Sequence, residues 1–290
     1  GGAAWWKDDS RLAPAGAQDA HIAEAVEIAD GCDVAIMVIG GNESTAREAW
    51  AQSRRGDRDS LELIGRQIDL LEAVAATGTP MVAVVMGGRP LDLRPVVATC
   101  GAILQVWYPG QEGGGAIAGL LAGDVAPSGK LPISFPSSVG QVPNHASRTL
   151  SDDRDYVFSK SEPLFAFGHG LTYTTFTYGS PRLEPAVIAP DGMAVVEVAV
   201  TNAGDRSGEE VVQLYVSDLL ASVARPKQAL CGFQRVALEA GESQVVRFEL
   251  GAEHLAVVGR DMERVVEPGE FSVCVGGSSQ TIRQTILTVE

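Results

Sequence analysis

The chain has 290 residues, of which 45% are hydrophobic and 20% charged, and its 22 basic and 37 acidic side chains leave a net charge of −15. That composition is globular, long enough for two domains, and excludes a disordered chain. The negative balance argues against nucleic-acid backbones and anionic membrane surfaces as partners, and no run of about 18 apolar residues offers a membrane span. A neutral or sugar-like partner fits better. Cys32, Cys100, Cys231 and Cys274 show no C-x-x-C spacing, so neither a zinc site nor a redox motif is expected. Cys32, Cys100 and Cys274 lie in or beside apolar runs, where buried free thiols are expected. The opening "GGAAWWKDDSRLAPAG" has no initiator Met, basic n-region or apolar core of a signal peptide, and reads as an interior point of a longer polypeptide or a processed start.

In chain order, "HIAEAVEIA" (His21–Ala29) has helical apolar spacing, with Asp19 as its expected N-cap. Cys32–Ile39 is a continuous apolar run, the pattern of a strand covered on both faces. Ile64–Ala76 returns to helical period, Thr77–Pro80 breaks it, and Met81–Met86 ("MVAVVM") is a second buried strand. A short helix over Pro95–Thr99, a strand over Gly101–Trp107 and a helix in "GAIAGLLAG" complete a βαβα order. That order implies a parallel sheet flanked by helices. Each strand runs into a polar, glycine-bearing loop, "GGNES", "GGRP" and "YPGQEGGG", at the sheet end where ligands collect in such folds. From about Pro181 the period becomes two: "AVVEVAVTN", "EEVVQLYVSD", "SQVVRFEL", "GEFSVCVG" and "RQTILTVE" alternate between turn signals. They predict an antiparallel sandwich of immunoglobulin or fibronectin type III shape. The fold class is therefore an α/β sandwich followed by an all-β sandwich, with the first domain over 1–145, an ordered linker over 146–180 and the second domain over 181–290.

Three constellations offer chemistry. The glycines of "GQEGGGAIAG" resemble a phosphate cradle, but no Lys-Ser/Thr follows them, and close strand–helix packing explains them better. No G-x-S-x-G elbow occurs, and the four histidines lie in unrelated contexts; His169, between two glycines, reads as a residue fixing its own loop. The third is the loop "GGNESTAREAWAQSRRGDRDSL" (Gly40–Leu61), with four carboxylates and four arginines. Taken alone it is a solvated charged loop or the seat of a general acid/base. A retaining glycosidase needs one carboxylic acid to protonate the leaving oxygen and a second carboxylate about 5–5.5 Å away. Trp50 offers a face for sugar stacking or for packing the loop down.

The segments "GGNESTAREAW", "RGDRDSLEL", "GRQIDLLEAV", "GRPLDL", "AILQVWYPGQEGGGAIAGLLAGDVAPSGKLPISFP" and "EPLFAFGHGLTYTTF" resemble the C-terminal part of family 3 glycoside hydrolases, the β-glucosidase/β-xylosidase group. Gly208–Asp218 and Ser222–Ser243 resemble that family's fibronectin-like tail. The resemblance runs from about His21 to the C-terminus. It implies that Glu48, in "AREA", is the acid/base, with Glu43 as its rival, and that Arg47, Trp50, Arg58 and Asp57 shape the loop or a sugar subsite. The family's nucleophile is an aspartate on an N-terminal (β/α)8 barrel, and these residues contain neither eight βα units nor an S-D-W-type segment. The expected partners are that barrel, on another chain or a missing segment, and a β-glucoside or related oligosaccharide. No cofactor, metal, nucleic acid or membrane is expected, and the compartment implied is periplasmic or extracellular. A non-catalytic carbohydrate-binding or scaffolding module derived from such an enzyme is the alternative.

Overall fold

The computed structural model describes residues 15–42, 59–142, 155, 157, 158 and 160–290. These form two compact units that divide at Ala118/Gly119, with Phe135–Val142 returning to the first.

The first unit runs α1 (Ala15–Asp30), β1 (Ala35–Gly40), α2 (Gln67–Ala75), β2 (Met81–Met86), α3 (Arg94–Thr99) and β3 (Ala102–Trp107), leading into α4 (Gly113–Ala122). The strands form a parallel sheet in the order β1-β2-β3, with Ala35 opposite Met81 and Val82 opposite Ala102. The middle strand behaves as an uninterrupted apolar run should: Ala83, Val84 and Val85 are all buried, so both its faces are covered. The same expectation fails for β1. Met37 and Ile39 are buried, but Ile36 and Val38 on the opposite face are 49% and 64% exposed, so among the described residues little covers that face of β1. Asp19 is likewise no N-cap. The helix extends back to Ala15, which places Asp19 within it, and its carboxylate instead accepts a bond from Arg66, which also holds Asp69 at 2.6 Å. α2 ends as its sequence requires: Gly78 adopts φ +82, and the backbone N–H groups of Thr77 and Gly78 donate to Val74 and Ala75.

The second unit contains β4 (Phe176–Tyr178), β5 (Arg182–Glu184), β6 (Val187–Ile188), β7 (Met193–Asn202), β8 (Gly208–Asp218), β9 (Ala229–Leu238) and β10 (Ser243–Gly251), then a one-turn helix α5 (Ala252–Leu255). It closes with β11 (Val257–Val258), β12 (Arg264–Val265), β13 (Gly269–Gly276) and β14 (Ile282–Val289). One sheet has the order β6-β14-β13-β8-β9; a second pairs β10 and β4 with β7, which also pairs β5. The inward positions of the alternating segments, among them Val196, Val198, Val212, Leu214, Phe248, Phe271, Val273 and Leu287, meet in one buried cluster. β9 was not among the sequence-expected strands. Gly232, Gln234 and Arg235 break its alternation, and a bulge opposite Leu214/Tyr215 shifts its register. The turn after β7 is organised by the fully buried Asn202. Its amide donates to Arg206 O (2.7 Å) and Leu238 O (3.0 Å) and accepts from Thr174 Oγ1 (2.6 Å) and Gly204 N (3.2 Å), so each of its hydrogen-bonding positions is used.

The aromatic segment "PLFAFGHGLTYTTF" is ordered by this unit. Leu131 N donates to His169 O and Gly168 N to Leu131 O, both at 2.8 Å. Gln213 Nε2 donates to Gly168 O (3.2 Å) and Gly277 O (2.7 Å). Lys130 donates to Gly170 O (2.8 Å) and pairs with Glu210 at 2.9 Å, with side-chain exposures of only 13% and 6%. His169 stacks on Phe165 with ring centroids 5.3 Å apart, and burial, aided by the Lys130 charge, holds its pKa below the usual value. Its place in this network matches the local structural role read from the sequence.

Of the four thiols, Cys274 is buried as expected, and Cys100 and Cys231 are half-buried. Burial pushes the Cys231 pKa up to about 11. Cys32 is a correction: it lies just past α1 and is exposed, because the strand begins only at Ala35.

Candidate active site

The three loops at the carboxyl end of the sheet are held together by backbone. The ladder continues past the strands: Gly41 N donates to Met86 O (3.0 Å), and Gly87 N donates to Trp107 O (3.2 Å). This closeness demands glycine. At Gly40 φ is +127, and a Cβ would stand 1.9 Å from the Met86 carbonyl oxygen; at Gly87 a Cβ would stand 3.0 Å from Gly41 O.

The acidic loop leaves this platform at Asn42 and returns at Asp59, and both of its roots are tied down. Gln67, the first residue of α2, accepts from Gly40 N at 2.7 Å and donates to Gly40 O (2.7 Å) and Ile64 O (3.0 Å), clamping the end of β1 to the returning chain. Asp92 N donates to Leu61 O at 2.7 Å, and the Asp92 carboxylate is itself gripped by Arg94, whose Nε and Nη2 lie 2.6–3.1 Å from its oxygens. Glu43, Arg47, Glu48, Trp50, Asp57 and Arg58 lie outside the described residues. Asp59 is exposed, and Glu62 N donates to Ser60 Oγ.

Between the roots lies a shallow hollow. Gly40, Gly41 and Gly87 form its floor, Ile64 and Leu91 its apolar wall, and Asn42, Arg89 and Tyr108 its rim. Gln67, Asp92 and Tyr108 were not singled out from the sequence. The signal for the first two was weak: a polar residue opening an amphipathic helix, and an acid in an apolar stretch two residues before an arginine. The glycine-rich turn after Tyr108 is explained in part by packing. Gly110 has φ +74, and a Cβ on Gly113 would stand 2.6 Å from the Pro109 ring, whereas Gly114 and Gly115 face open space. Among the described residues no group of three or more His, Cys, Asp or Glu is gathered to hold a metal, and no helix is long and apolar enough to cross a membrane.

Replacing Gln67 with Ala strands the amide and carbonyl of Gly40, both half-buried. The variant is expected to lose about 1–3 kcal/mol in denaturant unfolding. Gln67→Glu, which keeps an acceptor for Gly40 N but turns a carboxylate toward two carbonyls, is expected to do no better.

Residues 9–173 match the family model for the glycosyl hydrolase family 3 C-terminal domain, and residues 210–279 match that for a fibronectin type III-like domain. The chain belongs to glycosyl hydrolase family 3. A β-xylosidase of Formosa agariphila is 42% identical over 273 residues, which cover 92% of this chain and 37% of that protein. A periplasmic β-glucosidase of Salmonella typhimurium is 40% identical over 277 residues, covering 91% and 35%. The solved structure of a β-glucosidase from Erythrobacter marinus superposes with a TM-score of 0.91 at 49% identity, covering 96% of this chain and 37% of that one. The chain thus spans little more than a third of the length of these relatives and corresponds to the family's C-terminal portion. Its architecture is the expected one, an α/β sandwich domain followed by a fibronectin-like domain.

Proposed function

We propose that this segment supplies the general acid/base of a retaining exo-acting β-glucosidase-type hydrolase, and that a (β/α)8 barrel, elsewhere in the polypeptide or on another chain, supplies the nucleophilic aspartate and most contacts to the sugar being cleaved. The observation that carries the reading is the anchoring of the acidic loop: both its roots are fastened at the carboxyl end of a parallel sheet in a family 3 domain. In this reading the domain over 1–145 carries that loop, and 181–290 is the fibronectin-like domain. Glu48 protonates the glycosidic oxygen and then, as a base, activates the water that hydrolyses the glycosyl-enzyme and releases the sugar; Glu43 is the rival. Arg47, Trp50 and Arg58 shape the sugar site. The substrate is a β-glucoside or related oligosaccharide. The periplasmic relative supports a periplasmic or extracellular setting.

Both steps of retention pass through a nucleophile that these 290 residues lack in this reading, and an acid without it has no covalent intermediate to form. The isolated chain is therefore expected to give no turnover of an aryl β-glucoside above background, and to regain it when assembled with a family 3 barrel. Hydrolysis by the isolated chain overturns the division of labour. Tight binding of glucose or cellobiose by the isolated chain favours a binding module instead.

A further inference from the structure

We propose that residues 163–170 form a strap that acid releases from the second unit, with His169 as its proton sensor. The inference goes beyond the catalytic reading and does not depend on it.

The strap is held by bonds to residues outside itself. Gly168 N and His169 O pair with Leu131, Phe167 N donates to Ser134 Oγ (3.1 Å), and Phe167 O accepts from Ser279 N (3.0 Å). Gly168 O accepts from the Gln213 amide on β8. Gly168 has φ +79, and a Cβ there would stand 2.0 Å from Gln213 Oε1, so the chain passes β8 at a distance that only glycine permits. The strap has no strand or helix of its own, and lifting it leaves the β7–β10 and β8–β13–β14 ladders intact.

The strap reads "PLFAFGHG", and His169 is its one titratable side chain. The ring is half-buried and stacked on Phe165. Lys130 faces it, with an ammonium that bonds the carbonyl of the next residue, Gly170, at 2.8 Å. The Glu210 carboxylate is already engaged by that ammonium at 2.9 Å, and burial keeps the Tyr178 phenol beside it protonated. Earlier in the chain, Lys160 pairs with Asp155 at 2.9 Å and Glu162 is exposed. A proton on His169 therefore arrives in a half-buried stack beside a cation, and both circumstances hold the ring neutral while the strap is docked. In a lifted strap the imidazolium is hydrated and the Lys130 charge is farther away. The proton thus binds the lifted form better and shifts the balance toward it. Docking is at full strength above about pH 6.5, the ordinary histidine pKa, and weakens as the pH falls below it.

The test is native-state hydrogen exchange on the 290-residue chain at pH 7.5 and 5.0, corrected for intrinsic exchange rates. The opening constant read at the amides of Leu131, Phe167, Gly168 and Ser279 should rise severalfold at pH 5.0, with a ceiling of about 30-fold for one proton taken up with an ordinary pKa. Amides of Val198 and Val273 in the sandwich should not follow. His169→Phe keeps a ring for Phe165 and cannot titrate, so its strap should open equally at both pH values. An unchanged opening constant in the parent, the same acid response in His169→Phe, or parallel loss of protection at Val198 and Val273 would each overturn the proposal. If His169→Phe does not fold, a proton NMR titration of the parent chain decides: the His169 ring should titrate below pH 6.5 together with the chemical shifts of the strap amides, and a ring that titrates at or above 6.5 would overturn it.

Discussion

Glu48→Gln in the assembled enzyme is expected to lower kcat on cellobiose by about 10²–10⁴-fold while sparing the first step, and so kcat/KM, for aryl glucosides with strongly acidic leaving groups. An alkoxide leaving group must receive a proton as its bond to the sugar breaks, and an amide has none to give. A nitrophenolate departs without one, so its first step survives, and the covalent glucosyl-enzyme then accumulates because no base activates water. Azide needs no base to attack that intermediate, so it should restore turnover and yield β-glucosyl azide, the product of a second inversion. The alkaline limb of the pH profile for cellobiose, which reports loss of the acid's proton, should disappear in the same variant. If Glu43→Gln shows this pattern and Glu48→Gln does not, the acid is Glu43. The experiment separates the two carboxylates cleanly because each substitution preserves side-chain shape and removes only the proton.

The second large effect concerns stability. Lys130→Met is expected to destabilise the second unit by roughly 3–5 kcal/mol, lowering its melting temperature by about 10 °C, because it leaves the Glu210 carboxylate buried without its cation. It also removes the bond from Lys130 Nζ to Gly170 O, so the "FGHG" segment should lose hydrogen-exchange protection before the sandwich does. The burial is tight. The Tyr178 phenol stands close to Glu210, and burial, reinforced by that carboxylate, drives its pKa above the ordinary phenol range. At Gly277 a Cβ would lie 3.2 Å from Glu210 Oε1, so that carboxylate would have to give by a few tenths of an ångström to admit one. A double variant, Lys130→Met with Glu210→Gln, should recover most of the loss. Failure to recover would mean that packing of the lysine stem, and not the ion pair, holds the segment down. The adjacent Glu209 makes a useful contrast. Its pair with Arg235 at 2.7 Å faces solvent, and Glu209→Gln should leave the unfolding midpoint almost unmoved.

That contrast shows where local pattern suffices and where it stops. Glu209 and Glu210 are identical in composition and adjacent in sequence. The period of two says that they face opposite sides of β8, but not that Lys130, eighty residues earlier, waits on one of those sides. In the same way, Met81–Met86 could be assigned as a strand without its neighbours, because it is a short apolar run of strand length directly after the turn signals Thr77–Pro80. β1 carries almost the same apolar run, yet Ile36 and Val38 are exposed, since the run itself does not say whether both faces of its strand are covered. β9 escaped because its residues answer to a bulge and a partner strand instead of to a solvent-facing period.

For the proposed site, the residues of the acidic loop are recognisable by type: carboxylates and arginines have no place in a core, and their position after an apolar strand points to the end of the sheet where ligands collect in such folds. The blocks around "WYPGQEGG" and "EPLFAFGHG" were distinctive enough to carry the family, and with it both domain types. What required the folded chain were the groups whose roles depend on a distant partner. Gln67 is one glutamine among several until its amide is seen spanning Gly40 and Ile64. Short-range periodicity encodes which way a side chain points; the contacts that anchor a loop join residues tens of positions apart, and those exist only once the sheet has brought its three loops together.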